Sequence, residues 1–128
     1  MNKVIDADNM RYTKRHEWVM LDDDVATVGI TEYALAELSG VHFVELPAED
    51  VEISVGEEVA TVEGQNDSLS VVAPLDGVVV EVNRLLEDNP ELVTGDSYGD
   101  GWLFRAEVTD ISTWRDLLTA EEYEEYIE

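Results

Sequence analysis

The chain has no cysteine and few positive charges. Without cysteine it can form no disulfide, offers no thiol nucleophile and cannot build a Cys-based zinc site. Seven Lys and Arg residues stand against 31 Asp and Glu residues, which gives a formal net charge of −24. Such a charge repels phosphate backbones and anionic membrane surfaces. Nucleic acid and membranes are therefore not expected as partners.

Long apolar runs are also missing. The first residues, MNKVIDADNMRYTKRHEW, contain no uninterrupted apolar segment of the kind a secretory signal needs, and no later run approaches the length of a membrane span. We therefore expect a cytoplasmic protein. A chain of 128 residues without a linker or low-complexity tract suits one domain over residues 1–128, with residues 1–10 as an N-terminal extension.

Short β-branched runs separated by turn residues make up most of the chain. This pattern predicts a mainly β fold, an antiparallel β-sandwich or flattened barrel, rather than alternating helices and strands. The predicted strands cover residues 16–20, 25–30, 41–46, 59–63, 69–73, 78–83 and 102–108.

A few short helical segments are predicted around these strands. Thr31 can cap an internal helix that Gly40 can end. Residues 85–93 combine proline with turn-forming residues and predict a crossover loop with a helical turn. Two short helices are predicted over residues 110–128, and the capping box that begins at Thr119 starts the second of them.

No motif for catalysis or metal binding stands out. The segments Asp22–Asp24 and Asp96–Asp100 lack the ordered ligand spacing of a calcium-binding loop, so we interpret both as solvated turns. His16 and His42 are predicted to lie within strands and not beside a nucleophile. The composition therefore favours a binding or carrier module over an enzyme.

Several motifs, taken in order, resemble segments of the glycine cleavage system H protein family. They are Tyr12–Val19 (YTKRHEWV), Val28–Thr31 (VGIT), Phe43–Pro47 (FVELP), Ala73–Gly77 (APLDG) leading to Glu81–Asn83 (EVN), Pro90–Val93 (PELV) and Tyr98–Phe104 (YGDGWLF). Each motif is short, but they stand in the order of the family, and the resemblance covers about residues 11–126.

The resemblance implies a lipoyl-domain fold and a carrier function. In that family two antiparallel sheets form a sandwich, and a lysine at the tip of a hairpin carries lipoate. The lipoyl arm visits a pyridoxal-phosphate decarboxylase, a tetrahydrofolate-dependent aminomethyltransferase and a dihydrolipoamide dehydrogenase. The family consists of carriers and not of enzymes.

The chain departs from the family at the residue that should carry the arm. Counting without gaps from Glu63 to Ala73 places Asn66 at the lysine position. Lipoate is attached as an amide when an amine attacks an activated acyl group, and an asparagine amide is not nucleophilic. The chain's lysines, Lys3 and Lys14, both lie near the N-terminus. No covalently bound cofactor is therefore expected.

Other departures fall at the cleft where the family shelters its loaded arm. The resemblance places Glu17, Tyr33, Glu63 and Ser70 at or beside that cleft. The family usually has histidine at the position of Tyr33 and an acidic residue at the position of Ser70. A simpler interpretation of Asn66 is that it and its neighbours are good turn residues.

These departures favour an H-like protein that keeps the scaffold and works as a noncatalytic binding or regulatory module. Its expected partners are the three glycine cleavage enzymes or lipoate-attachment enzymes. Two alternatives stay open. The chain could be a working aminomethyl carrier through an unusual attachment, or a small-molecule binding protein or enzyme that reuses the vacant cleft.

Overall fold

The computed structural model describes residues 9–36, 38 and 40–127, so Lys3 lies outside the described residues. Within these residues the strands are β1 (Met10–Tyr12), β2 (Glu17–Asp22), β3 (Val25–Ile30), β4 (Phe43–Glu45), β5 (Glu52–Ile53), β6 (Glu58–Glu63), β7 (Ser68–Val72), β8 (Gly77–Val82) and β9 (Phe104–Val108). The helices are α1 (Glu32–Leu35), α2 (Leu85–Asp88), α3 (Leu92–Gly95), α4 (Ile111–Arg115) and α5 (Ala120–Ile127). That residues 1–128 form one domain stays a prediction.

The strands form two antiparallel sheets. One sheet has the order β1-β2-β3-β9-β8-β5, and the other has the order β4-β6-β7. Side chains alternate across each strand, so Ala60 and Val62 of β6 are buried while Glu63 is exposed. Buried residues from both sheets pack into the main apolar core, and a second, smaller cluster joins β1, β2 and α5. The predicted β-sandwich is confirmed.

The internal helix begins where the sequence predicts and ends earlier. The Thr31 hydroxyl accepts a hydrogen bond from the backbone N–H of Ala34 at 3.4 Å, which confirms the cap. The helix ends at Leu35, so the prediction that Gly40 ends it is wrong. Gly40 has φ 77° and lies in the loop that leads the chain into β4. Its left-handed backbone therefore serves that loop and not a helix terminus.

The capping box of the C-terminal helix α5 is confirmed. The Thr119 hydroxyl accepts a hydrogen bond from the N–H of Glu122 at 3.2 Å, and the Glu122 carboxylate accepts one from the N–H of Thr119 at 2.8 Å. These hydrogen bonds lower the pKa of Glu122. Residues 85–93, predicted as a loop with a helical turn, contain α2 and the start of α3.

Two strands and the positions of both histidines were not predicted correctly. β1 has three residues and β5 has two, which is too short for an alternating pattern to be recognised. His16 and His42 precede β2 and β4, so their assignment to strands is wrong. His16 has φ 73°, which turns the chain sharply and is incompatible with an extended strand.

The two ends of the described chain pack together. The Tyr12 ring stacks on the Tyr123 ring with centroids 4.7 Å apart and an interplanar angle of 8°. The backbone of Tyr12 exchanges two hydrogen bonds of 2.8 Å with Leu118. These contacts place α5 beside β1, next to the turn that contains His16. None of the helices in the described ranges combines the length and the apolar character needed to cross a lipid bilayer.

Candidate functional site

A short turn joins β6 and β7 and contains Asn66. The last register pair of the hairpin is Glu63 with Ser68, and the N–H of Gly64 donates to the carbonyl oxygen of Asp67 at 2.7 Å. A Cβ at Gly64 would lie 2.8 Å from a carboxylate oxygen of Asp67 and 2.9 Å from the carbonyl oxygen of Gly40, so glycine is required there. Asn66 itself is exposed at this tip.

The exposed side chains of the tip provide hydrogen-bonding groups and no amine. Gln65 and Asn66 carry amides, and Asp67 carries a carboxylate. Amides donate and accept hydrogen bonds but are not nucleophiles at neutral pH. The tip can therefore recognise a partner through polar contacts.

Two of the predicted site residues lie on the outward face of the three-stranded sheet. Glu63 pairs with Phe43 of β4 on one side and with Ser68 of β7 on the other, and Ser70 pairs with Thr61. On β6 and β7, the residues that alternate with these outward-facing ones point their side chains toward the core. Phe43 is 52% exposed on the outward face beside Glu63. Sequence reasoning did not identify it as a surface residue, although its alternation with a buried valine was a usable signal.

Glu17 occupies a different environment, because its side chain is fully buried. One carboxylate oxygen accepts a hydrogen bond from the Thr13 hydroxyl at 2.6 Å, and the other accepts one from the N–H of Val72 at 3.3 Å. The second bond connects β2 of the larger sheet with β7 of the smaller one. Burial raises the pKa of Glu17 above its ordinary value, and the two hydrogen bonds partly oppose that shift.

Tyr33 lies in an aromatic cluster around His16. The ring centroids of these two residues are 4.8 Å apart. The hydroxyl of Tyr123 is 2.9 Å from Nδ1 of His16 and 2.9 Å from the hydroxyl of Thr31. Burial raises the pKa of Tyr123 to about 12, so this phenol stays protonated at neutral pH. More than 90 residues separate Tyr123 from either partner in sequence, and sequence reasoning missed the network.

The predicted site residues therefore form two groups. Asn66, Glu63 and Ser70 belong to the exposed hairpin, whereas Glu17 and Tyr33 lie where β2 and α1 begin. The hydrogen bond between Glu17 and β7 joins the two groups. Among residues 9–36, 38 and 40–127, no three His, Asp or Glu side chains are grouped to hold a metal ion.

Two adjoining surface depressions lie outside both groups. Their volumes are about 350 and 510 Å³, and Glu49, Val82 and Arg84 line both of them. Phe43 lines the first, and Trp102 lines the second. The motifs Phe43–Pro47, Glu81–Asn83 and Tyr98–Phe104 all contribute lining residues, but no local pattern indicates that these segments meet here.

Comparisons with known proteins agree on one family. The family model described as "Glycine cleavage H-protein" matches residues 10–128. The chain is 45% identical over 119 residues to the "Probable glycine cleavage system H protein" of Aeropyrum pernix, which covers 93% of this chain and 83% of the relative. It is 46% identical over 116 residues to the "Glycine cleavage system H protein" of Thermotoga maritima, which covers 91% of this chain and 94% of the relative.

A solved structure gives the same answer for the fold. The crystal structure of a glycine cleavage system H protein from Mycobacterium marinum is similar to this chain with a TM-score of 0.83 and 35% sequence identity. The match covers 91% of this chain and 94% of that one.

Proposed function

This chain belongs to the glycine cleavage H-protein family, and on that premise we propose that it is a noncatalytic binding or regulatory module linked to glycine cleavage or lipoate metabolism. The family consists of lipoate carriers that work with the glycine cleavage enzymes and are not themselves catalysts. The names of the relatives are those of ordinary H proteins. That this chain has lost the carrier role is therefore argued from its own residues.

The observation that carries the proposal is Asn66 on the exposed turn between β6 and β7. The residues of this tip do not fit covalently attached lipoate, because an acyl group is transferred to an amine and Asn66 offers an amide. The geometry of a hairpin that presents its tip is kept, while the attachment chemistry is lost. A module that binds partners without loading an arm fits this combination.

Partners of this module would be glycine cleavage enzymes or lipoate-attachment enzymes. The family works with the glycine cleavage enzymes, and this chain retains the family's fold. The formal net charge of −24 would speed encounters with partners whose docking surfaces are basic. Recognition would then rest on the fold and the charge, and not on a lipoyl arm.

A working carrier with an unusual attachment is the second candidate. Lys14 is exposed in the turn between β1 and β2, with Nζ 5.8 Å from the centroid of the Tyr126 ring. An exposed lysine on a tight turn is a group that a ligase could reach. Intact mass after expression beside a lipoate ligase tests this candidate, and a lipoyl adduct that disappears in Lys14→Arg would support it.

A small-molecule site in the arm cleft has less support. Glu17 is fully buried, and both of its carboxylate oxygens already accept hydrogen bonds from the protein. A ligand there would have to displace Thr13 or the N–H of Val72. Thermal shifts with glycine, folate, lipoate and pyridoxal compounds test this alternative, since a ligand that binds the folded state raises the melting temperature.

The decisive experiment compares the natural chain with Asn66→Lys in a pull-down with the host's glycine cleavage enzymes. We expect both proteins to retain at least one of these enzymes and only Asn66→Lys to gain a lipoyl group from a lipoate ligase. Asn66→Arg is the matched control, because it adds the charge without an acylatable amine. Failure of the natural chain and Asn66→Lys to retain any of the enzymes would refute the partnership, and a lipoyl adduct on the natural chain would refute the loss of the carrier role.

A further inference from the structure

The two depressions share Glu49, Val82 and Arg84 and so form one continuous groove, which we call the acidic groove. Phe43, Leu46 and Pro47 line one half, Leu85 and Trp102 line the other, and Val82 lines both. The groove follows the edge strand β4 and the start of α2. Apolar side chains in a surface depression of this size provide a floor for the side chains of a short peptide.

The rim of the groove carries an excess of negative charge. Its carboxylates are Glu45, Glu49, Glu81, Glu87 and Asp88. Arg84 is the cation among the lining residues, and it already lies 3.2 Å from Glu49 and 3.8 Å from Glu87. Glu81 is held by Arg105 at 2.8 Å, whereas Glu45 and Asp88 form no ion pair with any described residue. An occupant with positive charge would complement this rim.

Two of the most exposed large apolar side chains of the described residues lie in the two halves of the groove. Phe43 is 52% exposed and Leu85 is 54% exposed. Exposed apolar side chains gathered with a polar rim are typical of protein interaction sites, whereas single exposed ones are common and need no explanation. The acidic groove therefore combines exposed apolar side chains, on which a partner could pack, with a negative rim that favours a positively charged partner.

We propose that the acidic groove docks a short segment of a partner protein that alternates basic and apolar side chains. Lysine or arginine side chains of the segment face Glu45 and Asp88, and its apolar side chains pack on Phe43 and Leu85. This inference rests on the proposed binding role and gives that role a surface and a partner chemistry. Because Phe43 pairs with Glu63, the last residue of β6 before the turn, the docked segment lies beside the tip that contains Asn66.

The test uses a synthetic peptide of alternating lysine and leucine and the full isotope-labelled chain, with backbone amide chemical shifts as the readout. We expect shift changes centred on residues 43–49 and 82–89 and on Trp102. A peptide of alternating lysine and serine has the same charge without the apolar anchors, and we expect it to bind about tenfold more weakly. The comparison separates docking from general attraction to an acidic chain.

Single substitutions then test the anchors. Phe43→Ser and Leu85→Ser should each weaken binding of the lysine–leucine peptide about tenfold. Val55→Ser is the matched control, because Val55 is 56% exposed and lines neither half of the groove, and it should leave binding unchanged. If Phe43→Ser fails to fold, Leu85→Ser alone still shows whether the apolar side chains of the groove contribute to peptide binding.

Equal affinity for the two peptides, shift changes scattered over the whole chain, or no binding would each overturn the proposal. None of these results involves a glycine cleavage enzyme. If the chain retains such enzymes but fails the peptide test, the acidic groove is not the docking surface, while the proposed function still stands.

Discussion

Trp18 lies directly against the backbone of Gly29, its cross-strand neighbour. The two residues pair in the register of β2 and β3, and Trp18 is 2% exposed. Its ring nitrogen donates a hydrogen bond to the carbonyl oxygen of Ser97 at 2.9 Å, which fixes the ring position. A Cβ at Gly29 would lie 2.4 Å from two ring atoms, so the ring occupies the space of a side chain.

Gly29→Ala should therefore destabilise the protein by at least about 2 kcal/mol, because Trp18 has to leave its position or the strands have to separate. Urea unfolding monitored by tryptophan fluorescence measures the loss. Gly95→Ala is the matched control, since a Cβ there meets nothing within 4 Å and the residue ends α3. That control should be neutral or stabilising by up to about 1 kcal/mol, and equal losses in both variants would contradict the packing argument.

Because of Glu17, the free energy of unfolding should depend on pH in a distinctive way. Its pKa in the folded protein is raised above the ordinary value of 4.5, mainly because burial disfavours the charged form. A raised pKa means that the contribution of this group to stability is complete below pH 4.5 and is lost as the pH rises through the folded-state pKa. The buried carboxylate is thus a growing cost at higher pH.

Replacement by the neutral isostere Glu17→Gln removes this titration. The difference in unfolding free energy between Glu17→Gln and the natural protein should shift in favour of the variant as the pH rises from 4, and then level off. Urea unfolding at a series of pH values measures the difference, and every other carboxylate cancels from it. A difference that is constant, or that shifts the other way, would show that burial does not control this group.

How far these environments could be predicted depends on sequence distance. The turn around Asn66 is predictable from its local residues, and the resemblance identifies Asn66 as the position of the family's lysine. The hydrogen bond from Thr13 to Glu17 spans four residues, whereas the bond from Val72 to Glu17 spans 55. No local pattern indicates the second bond, because it depends on how the two sheets pack.

Helix α5 is held in place by one hydroxyl group and by a ring stack. Tyr123 is fully buried, and its hydroxyl serves both His16 and Thr31 while its ring stacks on Tyr12. These contacts connect α5 to the turn before β2, through His16, and to Thr31, the N-cap residue of α1. Loss of the hydroxyl alone would leave the stacking intact.

Tyr123→Phe should lower the free energy of unfolding by about 1–3 kcal/mol, because the buried Thr31 hydroxyl and the part-buried ring nitrogen of His16 each lose a hydrogen-bond partner. Tyr126→Phe is the control, since Tyr126 is on the same helix and 49% exposed, and its effect should be near zero. Thermal unfolding followed by circular dichroism measures both variants. A loss in Tyr126→Phe as large as that in Tyr123→Phe would refute the assignment.

Elements with their own local signals were predictable, and elements defined by their neighbours were not. The cap at Thr31 and the capping box at Thr119 depend on contacts three residues apart, so the sequence shows them. The strand β1 exists because its neighbour β2 offers a pairing edge and Leu118 a second one. Three residues carry no period of their own, and the contact partners lie up to 106 residues away.

The high density of negative charge affects the stability of the whole folded protein. With a formal net charge of −24 on 128 residues, like charges repel one another in the folded state more than in the expanded one. The three ion pairs of the described residues use two arginines, so most carboxylates have no cation beside them. Salt in solution has to supply the screening that the chain itself lacks.

Raising sodium chloride from about 0.02 M to about 1 M should therefore stabilise the protein and raise its melting temperature by about 5 °C or more. Potassium chloride at the same ionic strength should act equally, because screening depends on ionic strength and not on the identity of the cation. Differential scanning calorimetry measures both series. A melting temperature that falls or stays constant with salt would mean that self-repulsion contributes little.

The arrangement of the two sheets was accessible only through the resemblance. Strand positions follow from alternation, but the order β1-β2-β3-β9-β8-β5 joins residues that are distant in sequence, and alternation carries no information about partners. Motifs spread over residues 12–104 supplied that order indirectly, by pointing to a known fold. The acidic groove was missed for the same reason, because its two halves meet only in three dimensions.

The exposed tip of the β6–β7 hairpin also makes this protein convenient for spectroscopy. Since the chain contains no cysteine, Asn66→Cys creates a thiol at one known site, on a turn whose ends are fixed by the hydrogen bond between Gly64 and Asp67. A nitroxide or fluorophore attached there would report on any enzyme that approaches the hairpin, with no second label to separate. The exposed turn at Asn66 can thus carry a probe of distance.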